Sequence, residues 1–413
     1  MEKSFYIENR KNLSENLADG SLAVVYSGNA PRKTADEYYS FFANRNFVYL
    51  TGIEQNNCIL LFRSQNEQPQ ELLFIPPPDA YAERWAGRRV KAEEASDISG
   101  VSNIRHSQAF TSYLDNLILS GQIENIYLDF DKFSADEPDN EAYKLALYIK
   151  NRYPFVVLKN LLPLLKKQRT LKKSCEIDAM RKAEAATRDG ILAMMRASKS
   201  DMYEYEYKAE FDYALAKQGL SPAFPSIISA GQNNFCIHYN AYTGKASDGD
   251  LILNDVGAAW DNITVDVSRA FPCNGKFSEK QRLLYQCAYD TSEYMFGIIK
   301  PGMLMGDVDS TIRQYNFERL KSIGLLDDYK DISKYMWHGG AHHVGYDVHD
   351  VVHAPSDMPL IQGMVFCVDI GIYCEEWGIG FRLEDNCLIT ENGCENLSAS
   401  IPRSIEEIEA VMN

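Results

Sequence analysis

Histidine is scarce in this sequence, and most of its copies lie close together. The chain has seven histidines in 413 residues, and five of them fall in one short segment: His338, His342, His343, His349 and His353. Such a concentration favours metal binding or proton transfer over isolated core or surface histidines. His338 and His342 have the i, i+4 spacing of a helical zinc motif, but Gly339 stands where that motif has its catalytic glutamate. The glycines here also argue against a helix, so this motif is not predicted. His238 is a further candidate.

Two aspartates lie in apolar segments that predict a hairpin. If Trp260 and Asp261 form the turn, Asp255 and Asp266 lie directly opposite each other. Like charges in that position are destabilising unless water or a cation lies between them. Because both segments are strongly apolar, we favour a cation over a pair of surface carboxylates on an edge hairpin.

Two later segments, 364–373 and 378–386, read as strands that carry charged residues. Asp369 is embedded among apolar residues, an unusual place for an unpaired carboxylate. Arg382 and Glu384 are two residues apart and therefore share a strand face. They could form a plain buried ion pair, or Arg382 could orient a metal ligand.

The candidate metal ligands form a hard, oxygen-rich set: Asp255, Asp266, His342, Asp369 and Glu384. Such a set suits manganese or another borderline divalent ion better than a cysteine-based zinc site. Four carboxylates also balance the charge of two dications, and two ions bridged by hydroxide are a standard hydrolytic arrangement.

Composition narrows the class of protein. Hydrophobic residues make up 45% of the chain and charged residues 24%, as in ordinary globular proteins. The formal net charge of −16 argues against nucleic acid or an anionic membrane as the main partner. The sequence has no long apolar run and no signal-peptide pattern, and its nine cysteines include no CxxC pair. We therefore expect a cytoplasmic protein with free thiols.

Short apolar runs that alternate with helical stretches predict a mixed α/β domain in the first part of the chain. The predicted strands are 22–26, 58–62, 72–75, 126–128 and 155–158, and the predicted helices are 107–120 and 137–150. A basic stretch at 166–173 predicts the boundary, giving domains 1–170 and 171–413. Ser174 is the predicted N-cap of a helix that runs to about residue 196, and further helices are expected at 202–217, 279–299 and 305–323.

Several ordered motifs point to one known family. The first domain contains Phe47-Val48-Tyr49-Leu50-Thr51-Gly52 and Trp85-Ala86-Gly87-Arg88-Arg89. The second contains Asp255 with Asp266, His338-Gly339-Gly340-Ala341-His342, Val348-His349-Asp350 and Arg382-Leu383-Glu384-Asp385. In this order and spacing, the sequence resembles the Xaa-Pro aminopeptidases (aminopeptidase P) of the pita-bread metallopeptidases. The resemblance implies an α/β N-terminal domain followed by an α+β pita-bread catalytic domain.

The resemblance also implies roles for individual residues. Asp266 and Glu384 would bridge two metal ions, Asp255 would bind one ion, and His342 with Asp369 would complete the other. His238, His349 and Arg382 would serve catalysis, with the two histidines beside the substrate and Arg382 behind the ligands. Substrate binding would involve His338, Tyr373 and Trp85, and the resemblance allows Trp85 to come from a neighbouring subunit.

The implied activity is hydrolysis of the bond between an N-terminal residue and a following proline by a metal-bridging hydroxide. Manganese is the expected metal, with zinc, cobalt and iron as alternatives, and a homodimer or homotetramer is the expected assembly. Prolidase, which cuts Xaa-Pro dipeptides, is the near alternative. A non-catalytic binding protein on the same fold is a more distant one.

Three departures from the family pattern bear on these alternatives. Asp369 stands where the family usually has a glutamate, so its carboxylate is one methylene shorter. Asn46 stands where the family often has an aspartate. Residues 350–368 contain no arginine, whereas prolidases often place one there to meet the substrate carboxylate. That absence weakens the prolidase alternative.

Overall fold

The computed structural model describes residues 1–64 and 71–413. Within them the backbone separates into an N-terminal unit, Met1–Arg169, and a C-terminal unit, Thr170–Asn413. The division lies inside the basic stretch 166–173.

A six-stranded sheet with flanking helices forms the N-terminal unit. Its elements in chain order are α1 (Lys3–Ser14), β1 (Ser21–Tyr26), β2 (Arg32–Thr34), β3 (Glu37–Tyr38), α2 (Arg45–Thr51), β4 (Ile59–Arg63), β5 (Glu71–Ile75), α3 (Ala80–Ala86), α4 (Ala92–Ser99), β6 (Ile104–His106), α5 (Phe110–Leu119), β7 (Asn125–Leu128), α6 (Glu141–Arg152), β8 (Val157–Asn160) and α7 (Leu162–Arg169). The strand order is β6-β5-β4-β1-β7-β8, and β2 pairs with β3 in a separate ribbon. The sheet mixes parallel and antiparallel pairs, so the predicted α/β class is confirmed.

The apolar runs of the first part form strands because both faces of the sheet are covered. On β1, Leu22 to Val25 are completely buried, and on β4 Leu60 to Phe62 are as well. Helix α6 begins later than predicted because the Asn140 side chain accepts hydrogen bonds from the N–H groups of Ala142 and Tyr143. The strand predicted at 155–158 is shifted by two residues, to Val157–Asn160.

A seven-stranded sheet and five helices dominate the C-terminal unit. Its elements are α8 (Ser174–Ala197), α9 (Glu204–Ala216), β9 (Ile227–Ala230), β10 (Leu251–Val256), β11 (Ala259–Trp260), β12 (Ile263–Thr264), β13 (Val267–Pro272), α10 (Glu279–Ile298), α11 (Met305–Ser322), β14 (Ala341–His343), β15 (Val365–Cys374), β16 (Ile379–Ile389), β17 (Cys394–Asn396) and α12 (Ile405–Met412). The sheet order is β14-β15-β16-β13-β10-β9, with β17 paired to β16. The four predicted helices match α8 to α11 within about two residues.

The start of α8 differs from the prediction in one detail. Ser174 is the first helical residue, and Lys173 is the N-cap. The Glu176 carboxylate accepts a hydrogen bond from the Lys173 N–H at 2.8 Å, so a side chain inside the first turn satisfies the cap. A serine hydroxyl is therefore not needed at that position.

Two general features of the chain concern membranes and thiols. Within residues 1–64 and 71–413, no helix has the length and apolar character needed to cross a lipid bilayer. All nine cysteines are free thiols, and six of them are buried.

Candidate metal centre

The hairpin that carries Asp255 and Asp266 turns one residue later than predicted. Asp261 and Asn262 form the turn, with φ angles of +50° and +68°. A turn with two positive φ angles favours aspartate and asparagine and disfavours tryptophan. Asp255 consequently lies opposite Ser268, so the predicted direct pairing of Asp255 with Asp266 is wrong.

The two aspartates still reach one cavity, because the ladder is interrupted between them. Gly257 approaches the other strand so closely that a Cβ there would lie 1.8 Å from the Val265 carbonyl oxygen. Asp266 lies in the short gap between β12 and β13, outside the regular ladder. Both carboxylates line the same cavity, together with a third from Glu384.

The other predicted ligands are placed by the register of β14, β15 and β16. Asp369 on β15 lies directly opposite Glu384 on β16, and His342 on β14 lies opposite Cys367 on β15. The helix suggested by the spacing of His338 and His342 is absent, as the glycines predict, and His342 is on a strand. These pairings bring a carboxylate from each of two strands and an imidazole from a third to one face of the sheet.

A single cavity of about 240 Å³ gathers nine of the eleven predicted site residues: His238, Asp255, Asp266, His338, His342, His349, Asp369, Arg382 and Glu384. Tyr373 does not line the cavity, but its hydroxyl contacts two residues that do. Trp85 lies on α3 in the N-terminal unit, where 79% of its surface is exposed. Its predicted role stays a prediction.

The carboxylates and His342 form the tight part of the cavity. The Nε2 atom of His342 lies 3.0 Å from Glu384 Oε1 and 3.6 Å from Asp266 Oδ2. The Ser268 hydroxyl donates to Glu384 Oε2 at 2.9 Å. Glu384 is thereby fixed on both of its oxygens by the side chains around it.

A second set of contacting side chains lies along the other side of the cavity. Arg382 donates from Nη2 to Asp255 Oδ2 at 2.7 Å and from Nη1 to the Tyr373 hydroxyl at 3.0 Å. The Tyr373 hydroxyl lies 3.1 Å from His338 Nε2, and His338 Nδ1 lies 3.1 Å from Asp369 Oδ2. Trp337 stacks on the Tyr373 ring. The two outer aspartates are therefore linked through three polar side chains.

Glycine at position 371 leaves space for this second set of contacting side chains. A Cβ there would lie 2.2 Å from His338 Nε2. Gly371 pairs with Arg382 across β15 and β16, so the gap it leaves is on the cavity face. A larger residue would displace His338 from Asp369.

Crowded charges shift the ionisation of the site. Burial raises the pKa of Asp266 well above its usual range, and the negative charges of Glu384 and Asp255 raise it further. Burial alone would lower the pKa of His342, but its hydrogen bond to Glu384 and that residue's charge raise it to about 9. Burial and the neighbouring His342 lower the pKa of His349. Protons thus offset part of the negative charge when no cation is present.

The donor set fits divalent cations. Among the described residues, the buried Oδ1 atoms of Asp255, Asp266 and Asp369 have no hydrogen-bond partner. A buried carboxylate oxygen without a partner costs free energy, and a cation would satisfy it. Four carboxylates and one imidazole supply enough negative charge and enough oxygen donors for two dications.

The sequence analysis missed three residues that support the ligands. Cys367 belongs to a group with Asp266, His342 and Glu384 whose candidate ligand atoms all lie within 4.8 Å of one another. The Asn386 side-chain amide donates to the backbone oxygen of Asp266 at 2.7 Å. Ser268 is the third, through Glu384. The period of two along a strand was a usable signal, since Cys367 precedes Asp369 by two residues and Asn386 follows Glu384 by two.

Helix α11 holds the loop that carries His338. Asp309 Oδ1 accepts a hydrogen bond from the Gly340 N–H, and Arg313 donates from Nη2 to the His338 carbonyl oxygen at 2.7 Å. The Gly340 carbonyl in turn accepts from the Asp369 N–H at 2.9 Å. Asp309 is therefore connected through Gly340 to Asp369, which contacts His338.

Replacing Asp309 by alanine should lower kcat/KM about tenfold, because losing a hydrogen bond to a charged acceptor costs about 1.5 kcal/mol. Asp309→Asn keeps the accepting oxygen and should recover most of the activity. Gln314→Ala, at an exposed position on the same helix, is the matched control. Full activity in Asp309→Ala would show that this contact does not position the site.

Comparison with known proteins agrees with this geometry. The model of metallopeptidase family M24 matches residues 178–391, more than half of the chain. The chain belongs to metallopeptidase family M24. A second family model, described as the aminopeptidase P N-terminal domain, matches residues 6–127 of this M24 protein.

Relatives of known name match this M24 chain over nearly its whole length. The Xaa-Pro aminopeptidase of Haemophilus influenzae is 28% identical, covering 100% of this chain and 98% of its own. A solved Bacillus anthracis protein, provisionally described as an aminopeptidase P, is 35% identical with a TM-score of 0.97, covering 100% of this chain and 98% of its own. Aminopeptidase P from Escherichia coli, solved with the inhibitor Pro-Leu, is 26% identical with a TM-score of 0.91 and the same coverage. The predicted pita-bread catalytic domain behind an α/β domain is confirmed.

Proposed function

We propose that the chain is a metal-dependent Xaa-Pro aminopeptidase that hydrolyses the bond between an N-terminal residue and a following proline. The observation that carries this proposal is the convergence of four carboxylates and one histidine in one cavity of an M24 fold. The curated relatives at 28% and 29% identity are both Xaa-Pro aminopeptidases. Together with the missing arginine in residues 350–368, they favour this activity over that of a prolidase.

Five residues would hold the two divalent ions. Asp266 and Glu384 lie at the centre of the ligand set and would bind both ions, Asp255 would bind one, and His342 with Asp369 the other. When bound, the ions supply a hydroxide nucleophile at neutral pH and polarise the scissile carbonyl. Manganese is our proposed metal, on the hardness of the four carboxylates.

Two histidines would act on the substrate. His238 and His349 both line the cavity, and the His349 ring centre lies 4.4 Å from that of His342. Each can donate an N–H group to the oxyanion that develops during hydrolysis. Proline has no amide N–H, so a peptidase that relies on that donor cannot hold its substrate in this way. Histidine side chains that donate to the scissile carbonyl oxygen would hold the substrate without an amide N–H on the proline.

Arg382, Tyr373 and His338 would keep the outer ligands in place. Arg382 fixes Asp255, and Tyr373 joins Arg382 to His338. His338 in turn contacts Asp369. We also propose that His338, which lines the cavity, contributes to the peptide subsite, and that the buried Tyr373 supports it there through the contact between its hydroxyl and His338 Nε2.

Further proposals concern the assembly and the domains. The domains would be residues 1–170 and 171–413, the first creatinase-like and the second catalytic. Trp85 presents an exposed indole that would cover a peptide bound in a neighbouring subunit, and this is the basis for proposing a homodimer or homotetramer. The acidic net charge and free thiols support a cytoplasmic location.

The direct test compares an Xaa-Pro-Yaa tripeptide with an Xaa-Pro dipeptide, using manganese-loaded protein and a chelated control. We expect metal-dependent release of the first residue, faster from the tripeptide. A preference for the dipeptide would make the protein a prolidase. Failure to cleave either peptide, with two ions bound, would favour a non-catalytic binding protein.

A further inference from the structure

A compact group of potential metal ligands beside the cavity includes a sulfur atom. The candidate ligand atoms of Asp266, His342, Cys367 and Glu384 all lie within 4.8 Å of one another. Ligands on opposite sides of one ion, with bonds of about 2.0–2.3 Å, can be at most about 4.6 Å apart. The group is therefore close to the size of a single coordination sphere.

Cys367 is held on the cavity side of the sheet by its strand register. It pairs with His342 across β14 and β15 and precedes Asp369 by two residues on β15. Its side chain is completely buried, and its Sγ lies 3.6 Å from Asn386 Oδ1. The neighbouring Asp266 has an unpartnered buried oxygen, which points independently to a cation at this place.

This group leaves out two predicted ligands, Asp255 and Asp369, and the one proposed for the same ion as His342 is Asp369. Its Oδ2 is engaged with His338 Nδ1 at 3.1 Å, on the other side of the cavity. An aspartate there is one methylene shorter than a glutamate, so its carboxylate extends less far from β15. A second side chain from the same face of the same strand can supply the missing donor.

We infer that Cys367 is a metal ligand in this protein, supplying a sulfur donor to the ion held by Asp266, His342 and Glu384. The inference rests on the proposed function. On binding, the thiol releases its proton to solvent and a sulfur–metal bond forms, with no change in oxidation state. A thiolate makes that one position prefer zinc, cobalt or iron(II), so the proposed manganese then applies to the other ion, the one held by Asp255.

Cobalt(II) reports on this ligand directly through its absorption spectrum. The metal-depleted protein is titrated with cobalt(II), without substrate. Visible d–d bands show that cobalt is bound in the site, and a near-ultraviolet thiolate-to-cobalt charge-transfer band shows that sulfur is a ligand. We expect both in the wild-type protein and in Cys374→Ser, which changes a buried cysteine on the opposite face of β15. Cys367→Ser should keep the d–d bands and lose the charge-transfer band.

Competition between zinc and manganese provides the second readout. Removing a residue that only hydrogen-bonds to a metal ligand typically lowers metal affinity roughly 10–100-fold. We expect Cys367→Ser to lower the affinity for zinc by at least that factor and to change the affinity for manganese little. Visible d–d bands without a charge-transfer band in the wild-type protein would overturn the inference that Cys367 is a ligand. The proposal of a metal centre would still stand. Failure to bind cobalt at all would overturn both this inference and the proposed function.

Discussion

Asp266→Asn should remove bound metal and peptidase activity together. Asparagine has nearly the same shape, but it is neutral and replaces one ligating oxygen by an NH₂ group. We expect fewer than two ions per chain by elemental analysis, and a fall in kcat of more than about 100-fold, the scale on which loss of one electrostatic contributor acts. Both should be measured on the same preparation with a Xaa-Pro-Yaa tripeptide.

The Asp266 variant should also be at least as stable as the wild-type protein when chelated. Asp266 is buried beside Glu384 and Asp255, and these charges repel its ionised form. Asp357→Asn, at an exposed position of the same unit, is the matched control and should retain metal and activity. An Asp266→Asn protein that carried two ions and cleaved peptide normally would refute the bridging role.

Arg382→Met should destabilise the metal-free protein by about 3–5 kcal/mol, because it leaves Asp255 buried without its partner. The Arg382 side chain is only 3% exposed, and its ion pair with Asp255 is 2.7 Å long. Denaturant unfolding with a chelator present measures this loss. Adding divalent metal should reduce it, because a bound cation would take over the charge of Asp255.

The control for Arg382→Met is the same substitution in an exposed pair. Arg181 lies 2.9 Å from Glu395, with both side chains more than 40% exposed. Arg181→Met should cost less than about 1 kcal/mol. The double variant Asp255→Asn/Arg382→Met should recover part of the lost stability. Equal losses in Arg382→Met and Arg181→Met would show that the buried pair does not support the site.

Local patterns in the sequence identified several of the strands and nine of the residues that line one cavity, although strands such as β6, β9 and β14 were not predicted. Asp369 and Glu384 stand out because a carboxylate is unusual inside an apolar strand, and both fall on strands in the structure. The glycines around His338 correctly excluded a helix, and His342 lies on a strand. These features depend on a few consecutive residues, so no knowledge of the partner strand is required.

Pairing between strands was not predicted correctly. The turn at Asp261 and Asn262 moved the partner of Asp255 from Asp266 to Ser268. The Asp-Asn dipeptide was a signal for that turn, because these residues tolerate positive φ. The contact of Asp309 with the loop at Gly340 joins segments 31 residues apart and had no local signal.

The sequence by itself determined the family and the order of the two domains, because residue type and spacing carry that information. It also singled out the five carboxylate and histidine residues that the structure brings to one cavity. The tertiary structure decided which donors are close enough to share one ion. It placed Cys367 beside His342 and directed Asp369 toward His338. Such proximity is set by the register of neighbouring strands and by packing between distant segments, which a linear pattern does not encode.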